Sequence, residues 1–132
     1  MCLRNTNQHE RLERIKTYKC RNIVVTGGEP LLQIDPNFCT ELEDNNYILF
    51  LETNGTIKSP ITKFFSWVTI SPKSFDNLNR LRGNELKLIY TGQTFKEINE
   101  YIIAKGKEPY SYNRAAVMTV EPKGKQLVIR VS

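Results

Sequence analysis

Nowhere in this chain do about 18 apolar residues run together, so no segment reads as a membrane span. The opening stretch, MCLRNTNQHERLERIK, is polar and has no apolar core, which excludes a secretory signal of the usual kind and leaves the cytoplasm as the expected location. Cysteine is scarce: Cys2, Cys20 and Cys39 are an odd number at wide spacing, which is no disulfide framework. The spacing also lacks the close pairs or triplets that zinc or iron–sulfur ligands need. Each cysteine reads as a free thiol, with Cys20 and Cys39 expected to face a core. Histidine occurs once, as His9 in a polar stretch, and reads as a surface residue. No block of five or six like charges, internal repeat, low-complexity tract or linker is evident.

What is present fits one modest domain spanning residues 1–132. The chain is 39% hydrophobic and 25% charged, ordinary values for a globular protein. Its net charge of +5 can attract an anionic substrate or RNA, but a solvated basic surface is the better reading. Without aromatics interleaved among the basic residues, no nucleic-acid partner is expected.

Residues 9–19 put Leu12, Ile15 and Tyr18 on one helical face. RNIVVTG and YILFLET are unbroken apolar runs, the pattern of strands covered on both faces. Between them Asp35 and Pro36 form an N-cap and first-turn proline for a helix that the two asparagines 45 and 46 end. Asn54-Gly55 is a hairpin signal, yet TIKSPITKFF does not alternate like a returning strand, so a strand-to-loop exit is the better reading. WVTIS and NELKLIYT are a third and a fourth strand. TFKEINEYIIAKG is a helix capped by Thr94, lined by Phe95, Ile98, Ile102 and Ile103, and stopped by Gly106. AAVMTVE and QLVIRVS are further apolar runs that PKGK can join as a hairpin. Strands alternating with helices predict an α/β fold with a parallel sheet, in which ligands sit at the carboxyl ends of the strands.

Those ends carry polar groups. The first strand leaves through Thr26-Gly27-Gly28-Glu29-Pro30, the second through Glu52-Thr53-Asn54-Gly55, the third through Ser71-Pro72-Lys73. The fourth has Glu85 at its start and Lys87 inside it. Paired glycines let the backbone approach a ligand without a Cβ in the way. Glu29 can accept hydrogen bonds from an amine, and Lys73 can set a positive charge against a carboxylate. Taken singly, each segment also reads as an ordinary turn or loop, and Lys87 as a stem lying along a barrel wall and pairing with a carboxylate. Their order and spacing together carry the functional reading.

VVTGGEPLLQ, ETNGT, ISPK and NELKLIY, in that order, resemble the 7-carboxy-7-deazaguanine synthases, a branch of the radical S-adenosylmethionine (SAM) superfamily. The resemblance covers about residues 10–90 and implies a partial (β/α) barrel of the radical SAM type. It implies a lyase that uses SAM, a [4Fe–4S] cluster and Mg²⁺. That lyase converts 6-carboxy-5,6,7,8-tetrahydropterin to 7-carboxy-7-deazaguanine on the route to queuosine. It implies a homodimer served by a reductant such as flavodoxin. By motif, Thr26 matches a substrate contact. Gly27, Gly28 and Glu29 match the site for the cofactor's amino group, and Ser71, Pro72 and Lys73 a second segment against the same cofactor. Glu52 and Asn54 stand at the adjacent strand tip as additional candidates.

The family's Cys-x₃-Cys-x₂-Cys loop, with its magnesium-binding threonine, has no counterpart among Cys2, Cys20 and Cys39. Glu121-Pro122 stands roughly where the family has Gln-Pro, and KQLVIRVS lacks the family's terminal substrate contact. The expectation is therefore a barrel without its first βα unit, holding no metal ligand or catalytic residue of its own and inactive alone. The alternative is a non-catalytic remnant of the same fold that binds SAM or a partner.

Overall fold

A computed structural model describes residues 7–74, 79, 83–94, 96, 97 and 100, and the backbone of 119–123 and 126–131. Helix α1 spans Gln8–Lys16. The Asn7 side chain accepts from the Glu10 N–H at 2.8 Å while Glu10 reaches back to the Asn7 N–H, a reciprocal cap on the first turn. Leu12 and Ile15 are buried as expected. Tyr18 is not: the helix ends at Lys16, the Thr17 hydroxyl turns back to the Arg14 carbonyl, and Tyr18 is 57% exposed. The predicted face therefore stops one turn early.

Strand β1 is Asn22–Val25 and strand β2 is Ile48–Thr53. Helix α2, Pro36–Asp44, lies between them in sequence, capped by the Asp35 carboxylate, which accepts from the Asn37 N–H at 2.9 Å. Asn46, at φ +61°, turns the chain out of the helix in the left-handed conformation that asparagine tolerates, and the Tyr47 N–H returns to the Leu42 carbonyl at 3.0 Å. A 3₁₀ turn at Pro60–Phe64 leads to β3, Trp67–Ile70, and β4 is Glu85–Tyr90. Strands β1 to β4 are parallel and adjacent in chain order. The expected hairpin forms as β5, Thr119–Lys123, and β6, Gln126–Val131, with β6 antiparallel to β4. The protein is thus an α/β domain with a four-stranded parallel sheet, extended by that hairpin. Thr94 and Glu97 make the predicted cap, the Glu97 N–H donating to the Thr94 hydroxyl at 3.3 Å. Phe95, Ile98, Ile102, Ile103 and Gly106 lie outside the described residues, as does Cys2, and nothing is described of the Glu121 and Pro122 side chains.

The core lies on one side of the sheet. Leu12, Ile15, Cys39 and Leu42 from the helices meet Leu49, Leu51, Val68, Ile70, Leu86 and Leu88 from the strands. Full burial of each such leucine or isoleucine contributes about 1.5–3 kcal/mol. The expectation that β1 and β2 are covered on both faces fails at Val24, 56% exposed, and Ile48, 46% exposed. The core's helical residues pack on one face only, and β1 is an edge strand, so alternate residues of an apolar run stay accessible. Cys20 is also corrected: it precedes β1 and is exposed, while Cys39 is fully buried. Among the described residues, no helix is long and apolar enough to cross a membrane.

Candidate functional site

Because β1, β2 and β3 are parallel neighbours, their exits emerge at one edge of the sheet. One strand separates the Gly27-Gly28 exit from the Ser71-Pro72-Lys73 exit, a lateral gap of about 10 Å. Thr26, Gly27, Gly28 and Lys73 are exposed on this rim, and Asn54, Ser71 and Pro72 are half-buried. The structure thus brings the predicted residues to a common edge.

The two glycines differ. Gly27 has φ +142°, a conformation that side chains strain to adopt. Gly28 has no such φ, and a Cβ built on it meets nothing within 4 Å. Neither its backbone conformation nor packing among the described residues requires glycine at 28. Open space over an accessible backbone is what a closely approaching ligand needs.

Glu29 is only 7% exposed, and its carboxylate is engaged by the chain. The Leu31 N–H donates to Oε1 at 3.1 Å and the Asn54 N–H to Oε2 at 2.9 Å. The Thr53 hydroxyl donates to the carboxylate, 2.8 Å from Oε1 and 3.0 Å from Oε2. A carboxylate offers about four acceptor positions, so these donors occupy most of them. Glu29 therefore ties the first exit to the second from beneath the rim.

On the other face a second polar layer crosses the sheet. The register aligns Glu52 with Thr69 and Thr69 with Glu85, and Thr26 follows the pair Val25–Leu51 into the same row. The Thr26 hydroxyl donates to Glu52 Oε2 at 3.2 Å, and Thr69 donates to Glu85 Oε2 at 2.7 Å. Lys87 Nζ stands 3.9 Å from Glu52 Oε1, the carboxylate pairing that its place on the strand suggested. Below this row lie Val24, Phe50 and Trp67, so the open face passes from apolar to polar toward the rim. Sequence reasoning missed Thr53 and Thr69. Alternation offered a signal for Thr53, since it shares parity with buried Leu49 and Leu51, and a buried hydroxyl must find partners.

The described thiols do not fit an iron–sulfur cluster. Cys20 precedes β1, at the end opposite the rim, and Cys39 sits in the core on α2. Burial pushes the Cys39 thiol up to about 11, with Glu43 and Asp35 adding to the shift, so it stays protonated where a ligand must be a thiolate. Among the described residues, no group of three or more His, Cys, Asp or Glu side chains is placed to hold a metal ion.

No family model matches the chain. Curated relatives do. It is 44% identical over 70 residues to a 7-carboxy-7-deazaguanine synthase of Bradyrhizobium diazoefficiens, covering 53% of this chain and 32% of that protein. It is 36% identical over 84 residues to the synthase of Bacteroides thetaiotaomicron, covering 64% and 45%. For the synthase of Neisseria meningitidis serogroup B the figures are 42% over 87 residues, 61% and 40%. The chain thus spans less than half the length of each of these relatives. Over the part they share, it is homologous to the 7-carboxy-7-deazaguanine synthases.

Proposed function

We propose that the rim binds SAM, and that the chain is a partial (β/α) barrel of the radical SAM type serving 7-carboxy-7-deazaguanine formation from 6-carboxy-5,6,7,8-tetrahydropterin. The observation that carries this reading is Gly28: a glycine the fold does not require, exposed where three strand exits meet. The backbone of Gly27 and Gly28 receives the amino-acid end of SAM, and Glu29 adds its negative charge from below. Ser71, Pro72 and Lys73 close the other side, with Lys73 against a carboxylate. Thr26 and Glu52, joined across the open face, meet the pterin, and Asn54 stands beside them at the second exit.

Bound SAM supplies a sulfonium from which reductive chemistry can generate a radical. Starting that chemistry needs a [4Fe–4S] cluster, and the thiols described above do not fit one. The reading is therefore of a SAM-binding chain whose 132 residues do not hold the cluster by themselves. Mg²⁺, a homodimer, a flavodoxin-like reductant and a cytoplasmic setting belong to the same proposal.

Calorimetric titration with SAM tests it. Saturable binding with a Kd below about 1 mM is expected. Absence of any heat of binding at millimolar SAM overturns the cofactor assignment. Anaerobic incubation with iron and sulfide is expected to leave no stable cluster absorbance on the isolated chain. A stable site-differentiated cluster would refute the second half of the reading.

A further inference from the structure

We infer that Thr53 is the positioning residue of the rim, holding three exit segments in place at once. The inference rests on the reading of the rim as a ligand site.

Thr53 is 2% exposed and ends β2 on the core side of the sheet. A hydroxyl has one proton to give and two lone pairs. The proton goes to the Glu29 carboxylate, which belongs to the first exit. A lone pair accepts the Gly55 N–H at 3.1 Å, fixing the turn of the second exit, where Gly55 adopts φ +78°. The Thr53 carbonyl accepts the Ser71 N–H at 2.7 Å, which anchors the start of the third exit. Ser71 is further held from β4, its hydroxyl donating to the Lys87 carbonyl at 3.2 Å. Glu29 closes the first junction by accepting the Asn54 N–H at 2.9 Å. The relative placement of Gly28 and Ser71 therefore passes through one buried residue. Without the hydroxyl, the Gly55 N–H and the Glu29 carboxylate each lose a partner in a place water does not reach, and the two exits must shift to recover one.

Two substitutions separate positioning from stability. Thr53→Val keeps the shape and removes the hydroxyl. Thr53→Ser keeps the hydroxyl and loses a buried methyl. If Thr53 merely stabilised the core, serine would be the more harmful. If it positions the rim, SAM affinity falls about tenfold or more in Thr53→Val and stays within about threefold of wild type in Thr53→Ser. Equal weakening in both variants, or wild-type affinity in Thr53→Val, overturns the inference.

A measurement without ligand keeps the two proposals apart. In ¹⁵N-labelled Thr53→Val the amide signals of Gly27, Gly28 and Gly55 should move, while those of Leu12 and Ile15 on α1 stay and Ser71, held by the retained Thr53 carbonyl, moves less. Unmoved Gly27 and Gly28 signals refute the positioning role whatever SAM does. If they move but no variant or wild-type protein binds SAM, Thr53 still positions the rim and the ligand assignment falls. The wild-type chain gives a third readout. The amides of Asn54, Gly55 and Ser71 should exchange as one unit, with a common denaturant dependence. Independent exchange of Ser71 counts against a shared anchor.

Discussion

Lys87 Nζ reaches to 3.9 Å from Glu52 Oε1 over the intervening strand β3, so one ion pair spans three strands of the open face. The Glu52 side chain is 42% exposed and the Lys87 side chain 17%, so water and salt screen the pair from the glutamate's side, and 3.9 Å is a long contact. Its stabilising effect is therefore small. Lys87→Met should change unfolding stability by no more than about 1 kcal/mol, and less at high salt. Urea titrations at two salt concentrations check this. A loss several times larger would mean that the lysine, only 17% exposed, depends on Glu52 to balance its charge.

Glu29 should behave in the opposite way. Its carboxylate accepts from Leu31, Thr53 and Asn54 in a buried position. Glu29→Gln replaces one acceptor oxygen by a donor that faces donors. The expected loss is about 1–3 kcal/mol of unfolding free energy, read from the urea midpoint. An unchanged midpoint would show that the carboxylate does not tie the first two exits together.

The paired glycines make a sharper contrast. Gly28→Ala should leave stability within about 0.5 kcal/mol of wild type, because the Cβ meets nothing and the backbone is not left-handed. Gly27→Ala should cost about 1–3 kcal/mol, since φ +142° strains any side chain. For SAM binding, Gly28→Ala is expected to weaken affinity about tenfold despite its neutral effect on the fold. Calorimetry beside thermal unfolding separates the two effects. A Gly28→Ala protein that binds SAM as wild type does would remove the observation on which the functional reading stands.

Much of this organisation was legible from residue type alone. Asp35-Pro36 announced α2, Asn45-Asn46 its end, and the polar tripeptides after apolar runs marked the strand exits. These signals are local, set by backbone conformation within a few residues. What the sequence hid depends on neighbours distant in the chain. Val24 and Ile48 read as doubly buried because an apolar run does not say which face a helix covers. Cys20 looked like a core residue because its exposure depends on where β1 begins. Glu29 read as a ligand contact, and its position at the strand tip is as expected, but two of its carboxylate's partners, Thr53 and Asn54, lie at the exit of β2, where no local pattern records them.

Cys39 ties stability to pH. Its thiol is fully buried beneath α2, and burial raises it to about 11 from an ordinary value of 9.0, with Glu43 and Asp35 contributing. The unfolded chain loses this proton near pH 9, whereas the folded chain keeps it until about pH 11. Between those values the unfolded state binds fewer protons, so unfolding becomes easier as pH rises. Below pH 9 both states are protonated and the residue contributes no pH dependence. Across the window the loss is at most about 2–3 kcal/mol, and Cys39→Ala should remove that slope while destabilising the core at every pH. In a Cys2→Ser background, a maleimide at pH 7.5 should label Cys20 at once and Cys39 only after unfolding. Rapid labelling of Cys39 in the folded protein would contradict both its burial and the pH dependence drawn from it.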